Sequence, residues 1–345
     1  MAEPQLAPCD VIGKPDVGVS DAFLQGDAPK IYFSGGHRAH TPDEIIRRAR
    51  PFFDAAELTR ISDVTDLDHV GRPVAQAIRP MSRALSVSQG KGMNLEDATA
   101  GAIMEGLEKW RAETCLPDFE AISQSDLPAS ESVADLSALA LSLELLPERP
   151  ERVAMSWCRG RDLYSGAEVC LPFDTVSLDF SRSAEADFLV KSSNGLASGG
   201  TKPEAVFSAL LELIERDSLA DFFAHAPCEK ARRRVSRAGL EAVAPAAILE
   251  KFEAASLWFS VWDATNDIGI PVFHAELEEG LSGGSRFRLP RCVGSGCHLD
   301  PSIALVRALN EAAQTRVTAI SGVREDLARP RDAMGAEPNP ASHLE

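Results

Sequence analysis

Residues 199–216, GGTKPEAVFSALLELIER, combine a glycine turn, a helix start and two glutamates three residues apart. An earlier segment, 92–109, GMNLEDATAGAIMEGLEK, has the same pattern 107 positions upstream and aligns without a gap. A third, weaker repeat begins near residue 300 and carries Glu311 and Gln314. The chain therefore repeats one unit, in which a glycine-rich turn leads into a capped helix with the pattern E-x-x-[EQ].

The two glutamates of each unit share one face of their helix. At 100° per residue, Glu105 and Glu108 form a narrow polar stripe, as do Glu212 and Glu215, and the opposite sides are apolar. For one helix alone, the simpler interpretation is a solvated face with an intrahelical ion pair from Glu212 to Arg216. Two repeats in register favour a shared site, because four facing carboxylates repel unless cations compensate them. Oxygen ligands without His or Cys suit Mg²⁺, which usually accompanies a bound phosphate.

The turns that precede these helices are suited to an anion. Residues 86–92, SVSQGKG, and 192–201, SSNGLASGGT, offer backbone amides that run into helix N-termini. Neither turn has the spacing of a Walker A or a dinucleotide-binding loop. One helical turn before the glutamates stand the small residues Gly101 and Ser208, which leave room for a bulky ligand.

The order of helical and strand patterns predicts one α+β unit. We expect residues 1–29 to be a mobile extension, residues 30–328 the catalytic domain, and residues 329–345 a loose tail. Strands are expected within 59–88, 151–192, 257–265 and 270–277. Helices are expected from 42, and over 95–113, 133–147, 203–225, 229–257 and 301–320.

Composition excludes several classes of protein. The chain has 345 residues and a net charge of −17, which argues against nucleic-acid binding. No apolar run approaches the length of a membrane span, and the start lacks the pattern of a signal peptide. Seven scattered cysteines fit a reduced, cytoplasmic protein, and the group Cys292, Cys297 and His298 matches no standard zinc pattern.

Three segments together resemble the YcaO family: SQGKG with ATAGAIMEGLEKW, SSNGLASGGTKPEAVFSALLELIERD, and GSGCHLDPSIALVRALNEAAQTRVTAISGVRED. The resemblance runs in order from about residue 30 to residue 326 and is closest to peptide-modifying members that work with a TfuA partner. It implies the YcaO-type ATP-binding fold, with the repeated units packed against β-sheets. It also implies that ATP and Mg²⁺ serve to activate a backbone amide of a precursor peptide.

The resemblance assigns roles by position. Mg²⁺ binding falls to Glu105, Glu108, Glu212 and Glu215, which together with Arg216 are the expected catalytic residues. Glu204 would reach the nucleotide sugar, and the third segment would line the phosphate end. The implied ATP contacts are Arg38, Ser88, Lys91, Asn194, Ala197, Glu204, Arg216, Gln314, Arg316 and Arg324.

The sequence departs from the family pattern at four places. Lys109 replaces the usual Arg, Gly200 replaces a frequent Asn, and Ile45 replaces a Ser or Thr. Lys109 keeps the positive charge but lacks the planar fork of Arg. The end of the chain, GAEPNPASHLE, also lacks the proline-alternating tail of azoline-forming members.

The expected product is a thioamide formed with a sulfide donor. The alternatives are an azoline made by a cyclodehydratase from Cys, Ser or Thr, a non-catalytic ATP-binding subunit, and an accessory factor that acts on a protein. The expected partners are a precursor peptide and a TfuA-type protein or a separate leader-recognition protein, and a homodimer is left open. No residue stands out as a general base, although His298 is the histidine to test.

Overall fold

A computed structural model describes residues 29–279 and 289–322. The strands, in chain order, are β1 (Tyr32–Phe33), β2 (His37–Arg38), β3 (Arg60–Asp63), β4 (Val74–Ile78), β5 (Val87–Lys91), β6 (Phe119–Ile122), β7 (Met155–Arg161), β8 (Glu168–Pro172), β9 (Leu257–Asp263), β10 (Val272–Glu279) and β11 (Cys292–Cys297). The α-helices are α1 (Pro42–Ala49), α2 (Leu95–Thr114), α3 (Lys202–Ala224), α4 (Pro227–Arg232), α5 (Arg237–Val243), α6 (Ala246–Ala254) and α7 (Pro301–Ser321). The predicted extension, except for residue 29, and the predicted tail lie outside the described residues, as does Arg324.

The strands form small antiparallel sheets, three of which have three strands. Their orders are β3-β4-β5, β6-β7-β8 and β11-β10-β9, and β1 pairs with β2. Helices α1 and α2 cover the first of these sheets, and α7 covers β10 and β11. The α+β prediction is therefore confirmed, with helices laid on sheets that each need a cover for one apolar face.

Glycines allow α2 and α7 to lie directly on a strand. A Cβ at Gly90 of β5 would collide with the backbone of Ala98 and Ala102 in α2. A Cβ at Gly296 of β11 would collide in the same way with the backbone of Ala304 and Ala308 in α7. The first and third repeats are thus the same strand–turn–helix unit, and the small residues on both elements set its tight packing.

The second repeat is built differently. Residues 192–200, which precede α3, form turns and coil and no strand. The position equivalent to Gly90 is occupied by Ala197, whose Cβ would obstruct such a close approach. The apolar side of α3 is accordingly only partly buried: Leu211 is buried, whereas Leu210 and Leu213 are 44% and 47% exposed.

The predicted helix caps are present in all three repeats. The side chain of Asn94 accepts a hydrogen bond from the backbone N–H of Asp97 at 2.8 Å, and that of Thr201 accepts one from Glu204 at 3.3 Å. Asp300 caps α7 through the N–H of Ser302 at 2.8 Å. These bonds satisfy donors that the first helical turn leaves free, so the local sequence fixes where each helix starts.

Four predictions of secondary structure are wrong. The segment 86–92 was expected to be a turn and is mostly strand β5, because Val87–Lys91 pairs with β4 residue by residue. The segment 133–147 contains a 3₁₀ turn, Leu136–Ala138, and two isolated β-bridges, and no α-helix. Its apolar side chains pack beside β7 and β8 and do not form one helical face. The segment FLVKSS makes a single bridge, from Leu189 to Leu141, and no strand. The glycine-containing segment before α7 was expected to be a turn and is strand β11, which pairs with β10 along its whole length.

Candidate functional site

One cavity lies between the N-termini of the repeats and is lined by parts of all three. Its volume is about 760 Å³, which is within the range of pockets that hold a ligand of nucleotide size. Strand β5, the coil before α3, and the polar faces of α2, α3 and α7 contribute to its wall. Of the residues predicted for the site, those that line the cavity are Arg38, Lys91, Glu105, Glu108, Ala197, Glu212, Glu215, Arg216 and Gln314.

The carboxylates of α2 are held by neighbouring donors. Glu105 accepts a hydrogen bond from the backbone N–H of Gln89 at 3.2 Å and pairs with Lys109 at 2.5 Å. Glu108 lies at the turn before α3, where Ser198 is its hydrogen-bonding neighbour. Lys109, which replaces the usual Arg of the family, therefore forms an ion pair with Glu105, the first glutamate of its own helix.

The carboxylates of α3 share one arginine. Arg216 lies 3.4 Å from Glu212 and 3.4 Å from Glu215. Glu215 is buried and also accepts a hydrogen bond from Ser295 of β11 at 2.8 Å. The interpretation of this helix as a solvated face is therefore wrong, because its charged stripe faces the cavity and is partly enclosed.

The two acidic stripes line one cavity, and Glu108 lies close enough to Glu212 for their charges to interact. Burial raises the pKa of Glu108 to about 7, and the nearby charges of Glu105 and Glu212 raise it further, against the hydrogen bonds from Ser198. Burial also raises the pKa of Glu212, although Arg216 opposes that shift. A cation bound between these carboxylates would favour their ionised forms and relieve the repulsion between them.

The third repeat adds a fifth carboxylate that the sequence reasoning did not assign. Glu311 of α7 forms an ion pair with Lys91 at 2.7 Å. Although burial works against ionisation, Lys91, Arg216 and Arg307 together lower the pKa of Glu311. The repeat in the sequence could have identified this carboxylate as a site residue, since Glu311 occupies the position equivalent to Glu105.

Glu204 ties the N-terminal segment to the start of α3. Its buried carboxylate accepts hydrogen bonds from the N–H of Gly200 at 2.9 Å and from that of Ala39 at 3.3 Å. Lys30 and Arg38 lie 3.5 Å and 3.7 Å away. Glu204 does not line the cavity, so its contact with the nucleotide sugar stays a prediction, whereas its role in positioning Arg38 is a direct contact.

Besides Glu204, three described residues predicted to contact ATP do not line the cavity. Ser88 is buried on β5 and does not line the cavity, and neither does Asn194. Arg316 is 2% exposed and forms a buried ion pair with Asp68 through Nε at 3.0 Å and Nη2 at 3.1 Å. The placement of Arg316 at the phosphate end is wrong, because on α7 it points about 180° away from Arg307, which does line the cavity.

The remaining donors and acceptors support a nucleotide and Mg²⁺ in this cavity. The side-chain nitrogens Gln89 Nε2 and Arg307 Nε are buried without a hydrogen-bond partner among the described residues. The acidic ligands are oxygen donors of the kind that Mg²⁺ prefers. Within residues 29–279 and 289–322, however, no three His, Cys, Asp or Glu side chains converge tightly enough to hold an ion directly. The glutamates are bound to Lys109, Arg216, Ser198 and Ser295, and Mg²⁺ binding would require some of them to rotate away from these partners.

Residues 89–344 match the family model described as YcaO cyclodehydratase, ATP- and Mg²⁺-binding. The chain belongs to the YcaO family. A protein of Rhizobium leguminosarum bv. trifolii in the tfuA 3′ region is 36% identical over 293 residues, which cover 84% of this chain and 69% of that relative. These matches confirm the family resemblance, and the family description confirms the prediction of ATP and Mg²⁺.

Two solved structures confirm the YcaO fold. The structure of YcaO from Methanopyrus kandleri bound with AMPPCP and Mg²⁺ aligns over 86% of this chain and 72% of its own, with a TM-score of 0.59 and 22% identity. A heterocyclase in complex with substrate and cofactor aligns over 89% of this chain and 44% of its own, with a TM-score of 0.64 and 21% identity. Among the described residues of this YcaO protein, no helix has the length and apolar character needed to cross a membrane.

Proposed function

We propose that this YcaO protein uses ATP and Mg²⁺ to activate a backbone amide of a ribosomally made precursor peptide, and that a sulfide donor then gives a thioamide. The observation that carries the proposal is the pair of E-x-x-E stripes on α2 and α3, which line one cavity. The gene neighbourhood named for the Rhizobium relative supports a TfuA-type partner. The proposed partners also include a separate leader-recognition protein. The proposed location of this YcaO protein is the cytoplasm.

The residues of the cavity have distinct proposed tasks. Glu105, Glu108, Glu212 and Glu215 would hold Mg²⁺, and Lys91 and Arg216 would neutralise the phosphates. When bound, ATP·Mg²⁺ supplies the phosphoryl group that turns the amide oxygen into a leaving group. The protein contributes mainly position and charge compensation, as in other phosphoryl transfers.

The balance of the reaction is simple. Hydrosulfide adds to the amide carbon, the amide oxygen takes the γ-phosphoryl group, and the C–O bond breaks to release inorganic phosphate. One oxygen of the peptide is thereby replaced by sulfur, and ATP becomes ADP. In the azoline alternative, a Cys, Ser or Thr side chain of the peptide replaces sulfide, so that the peptide loses one water.

Mass spectrometry of a candidate precursor peptide tests the proposal. The peptide is incubated with this protein, ATP, Mg²⁺, sulfide and the TfuA-type partner, and ADP is measured in parallel. Exchange of one oxygen for one sulfur, dependent on sulfide, supports thioamide formation. Loss of one water without need for sulfide replaces that proposal with azoline formation.

The second candidate is a non-catalytic ATP-binding subunit, and the ion pairs of Glu105 with Lys109 and of Glu212 and Glu215 with Arg216 favour it. The variant Glu212→Gln separates the two possibilities. An enzyme should lose ADP production by about 100-fold or more, because one charge-stabilising contact to the transition state is removed. If wild type and variant both bind ATP and neither consumes it, the non-catalytic role is the correct one.

A further inference from the structure

A short surface turn between β6 and β7 carries three exposed leucines. Leu143, Leu145 and Leu146 are 80%, 58% and 37% exposed, and they lie within four consecutive residues. Earlier leucines of the same segment belong to the core beside β7 and β8, where Leu136 is buried and Leu141 packs against it. Single exposed apolar side chains are common on protein surfaces, whereas three on one turn indicate a surface that contacts another molecule.

The charge of the segment that contains this turn is strongly negative. Residues 116–151 contain eight Asp and Glu and a single basic residue, Arg149, so this segment contributes −7 to the net charge of −17. Glu144 lies between the exposed leucines and Glu148 follows them, and both are exposed. A complementary surface must therefore be apolar at its centre and carry Lys or Arg at its rim.

The two ends of the chain and a second copy of it have the wrong charge to cover the turn. Residues 1–28 contain five Asp or Glu and one Lys, and residues 323–345 contain five Asp or Glu and three Arg, so both ends are net negative. A second copy bound through the same surface would place two acidic segments against each other, which is repulsive. A different protein with a basic rim is the occupant that complements the turn.

Backbone hydrogen bonds join the turn to the segment that leads into one wall of the cavity. The N–H of Ser142 donates to the carbonyl oxygen of Phe188 at 2.8 Å, and the N–H of Val190 donates to that of Ala140 at 3.0 Å. Residues 196–200, a few positions further along the chain, line the cavity before α3. A partner bound at the turn would therefore lie against the segment that forms this wall, without occupying the cavity itself.

We propose that residues 143–148 are the docking surface for the TfuA-type partner, which covers the leucines with an apolar surface rimmed by Lys and Arg. This inference rests on the proposed function, which supplies that partner. The leucines provide most of the affinity, because burying exposed apolar side chains is the favourable step. Glu144 and Glu148 increase the rate of association and select a basic partner.

Binding of the purified TfuA-type protein to the full-length chain, measured by surface plasmon resonance, tests the leucines. We expect the double variant Leu143→Ser/Leu145→Ser to bind at least about 10-fold more weakly than the wild type. The matched control is Leu163→Ser/Tyr164→Ser, which changes two exposed apolar residues in the turn between β7 and β8, outside the acidic segment. This control should bind like the wild type.

Charge reversal tests the carboxylates. At about 50 mM NaCl, Glu144→Lys/Glu148→Lys should associate with the partner about 10-fold more slowly, and the difference should shrink at about 500 mM NaCl because salt screens exposed charges. The control Glu250→Lys/Asp267→Lys makes the same change in net charge at two exposed carboxylates elsewhere on the surface. It should associate at nearly the wild-type rate.

Three results would overturn the inference. The first is partner affinity within about twofold of wild type in both turn variants, and the second is a wild type that does not bind the TfuA-type protein at about 10 μM. The third is a wild-type dimer in sedimentation that Leu143→Ser/Leu145→Ser dissociates, since the occupant is then a second copy. Thermal unfolding checks that each variant is folded, and the charge reversal decides if the leucine variant is not.

Peptide mass and ADP production by the same proteins separate this inference from the proposed function. Turn variants that bind the partner normally, in a protein that forms the thioamide, remove only the inference. Partner binding that is lost as expected, in a wild type that never modifies a precursor peptide or consumes ATP, removes only the proposed function.

Discussion

The first and third repeats differ from the second in what lies beneath the helix. Helices α2 and α7 rest on strands β5 and β11, which they touch through Gly90 and Gly296. Helix α3 is preceded by coil and has Ala197 at the equivalent place, and part of its apolar side is exposed. The same E-x-x-[EQ] pattern therefore occurs both on helices that build the core and on a helix that mainly supplies charge to the cavity.

The comparison shows how a repeated motif can be divided between stability and function. The strand–turn–helix units of the first and third repeats hold two walls of the cavity in fixed positions, because the backbone of each strand touches the backbone of its helix. The second unit contributes Glu212, Glu215 and Arg216 from a helix with fewer buried residues. Each of the following predictions tests one part of that division, from the largest expected effect to the smallest.

Alanine at the contact glycines should have the largest effect. Gly90→Ala and Gly296→Ala each place a methyl group against helix backbone, which cannot move away as a flexible side chain can. We expect each to cost more than about 3 kcal/mol of unfolding free energy or to prevent folding. Urea denaturation measures this, with Gly36→Ala as control because its Cβ would meet no atom within 4 Å. If Gly90→Ala is as stable as the control, the close packing of the first repeat is wrong.

Glu108→Gln should stabilise the protein at alkaline pH. The raised pKa of Glu108, about 7 in the folded state against 4.5 as the ordinary value, means that the folded state holds its proton longer than the unfolded state. Stability is therefore lost as pH rises from 4.5 to 7, and above pH 7 the loss reaches about 3 kcal/mol. Glu108→Gln removes this loss, so it should be more stable than wild type at pH 8 and equal to it at pH 4.

Mg²⁺ gives the matching test for Glu108. Binding of Mg²⁺ should stabilise the wild type at pH 8, because the cation compensates the facing carboxylates, and should stabilise Glu108→Gln less. Denaturation with and without Mg²⁺ at pH 8 measures both effects. An identical Mg²⁺ effect in the two proteins would contradict the assignment of Glu108 as a ligand.

Replacing His298 should reduce the sensitivity of the protein to acid. The pKa of His298 is lowered from 6.5 to about 4, so the folded state favours the neutral form of this side chain. That contribution is complete above pH 6.5 and is lost as pH falls towards 4, with about 2 kcal/mol lost between pH 7 and pH 5. His298→Gln should show a smaller decrease in stability over this range, measured by urea denaturation at pH 7 and pH 5. His69→Gln, a change at an exposed histidine, serves as control.

Removing a helix cap should have the smallest effect and should not distinguish the repeats. Asn94→Ala at the start of α2 and Thr201→Ala at the start of α3 each remove one hydrogen bond to a first-turn N–H. Each should cost about 1 kcal/mol of unfolding free energy. A much smaller cost at Thr201 than at Asn94 would show that α3 forms and frays independently of the core, which would sharpen the difference between the repeats.

The local sequence determined the features that depend on neighbouring residues alone. Helix starts at Asn94, Thr201 and Asp300 follow from side chains that bond the first-turn N–H groups. The shared face of each glutamate pair follows from the helical period. The family, the α+β class and the two cofactors followed from the repeated motifs, and the comparisons confirm them.

Tertiary structure decided which side of each element faces the cavity. Both Arg307 and Arg316 lie on α7, nine residues apart and so about 180° apart around the helix, and only one of them can face the cavity. Grouping residues with Glu311 and Gln314 on the helical wheel would have selected Arg307. Strand β11 was not predicted because its glycines suit a turn in isolation, whereas in the fold they allow α7 to touch the sheet. The sequence alone therefore determined where the helices start, which helix face carries the glutamates and which polar side chains each helix carries. Packing against β5 and β11 determined which of those side chains face the cavity.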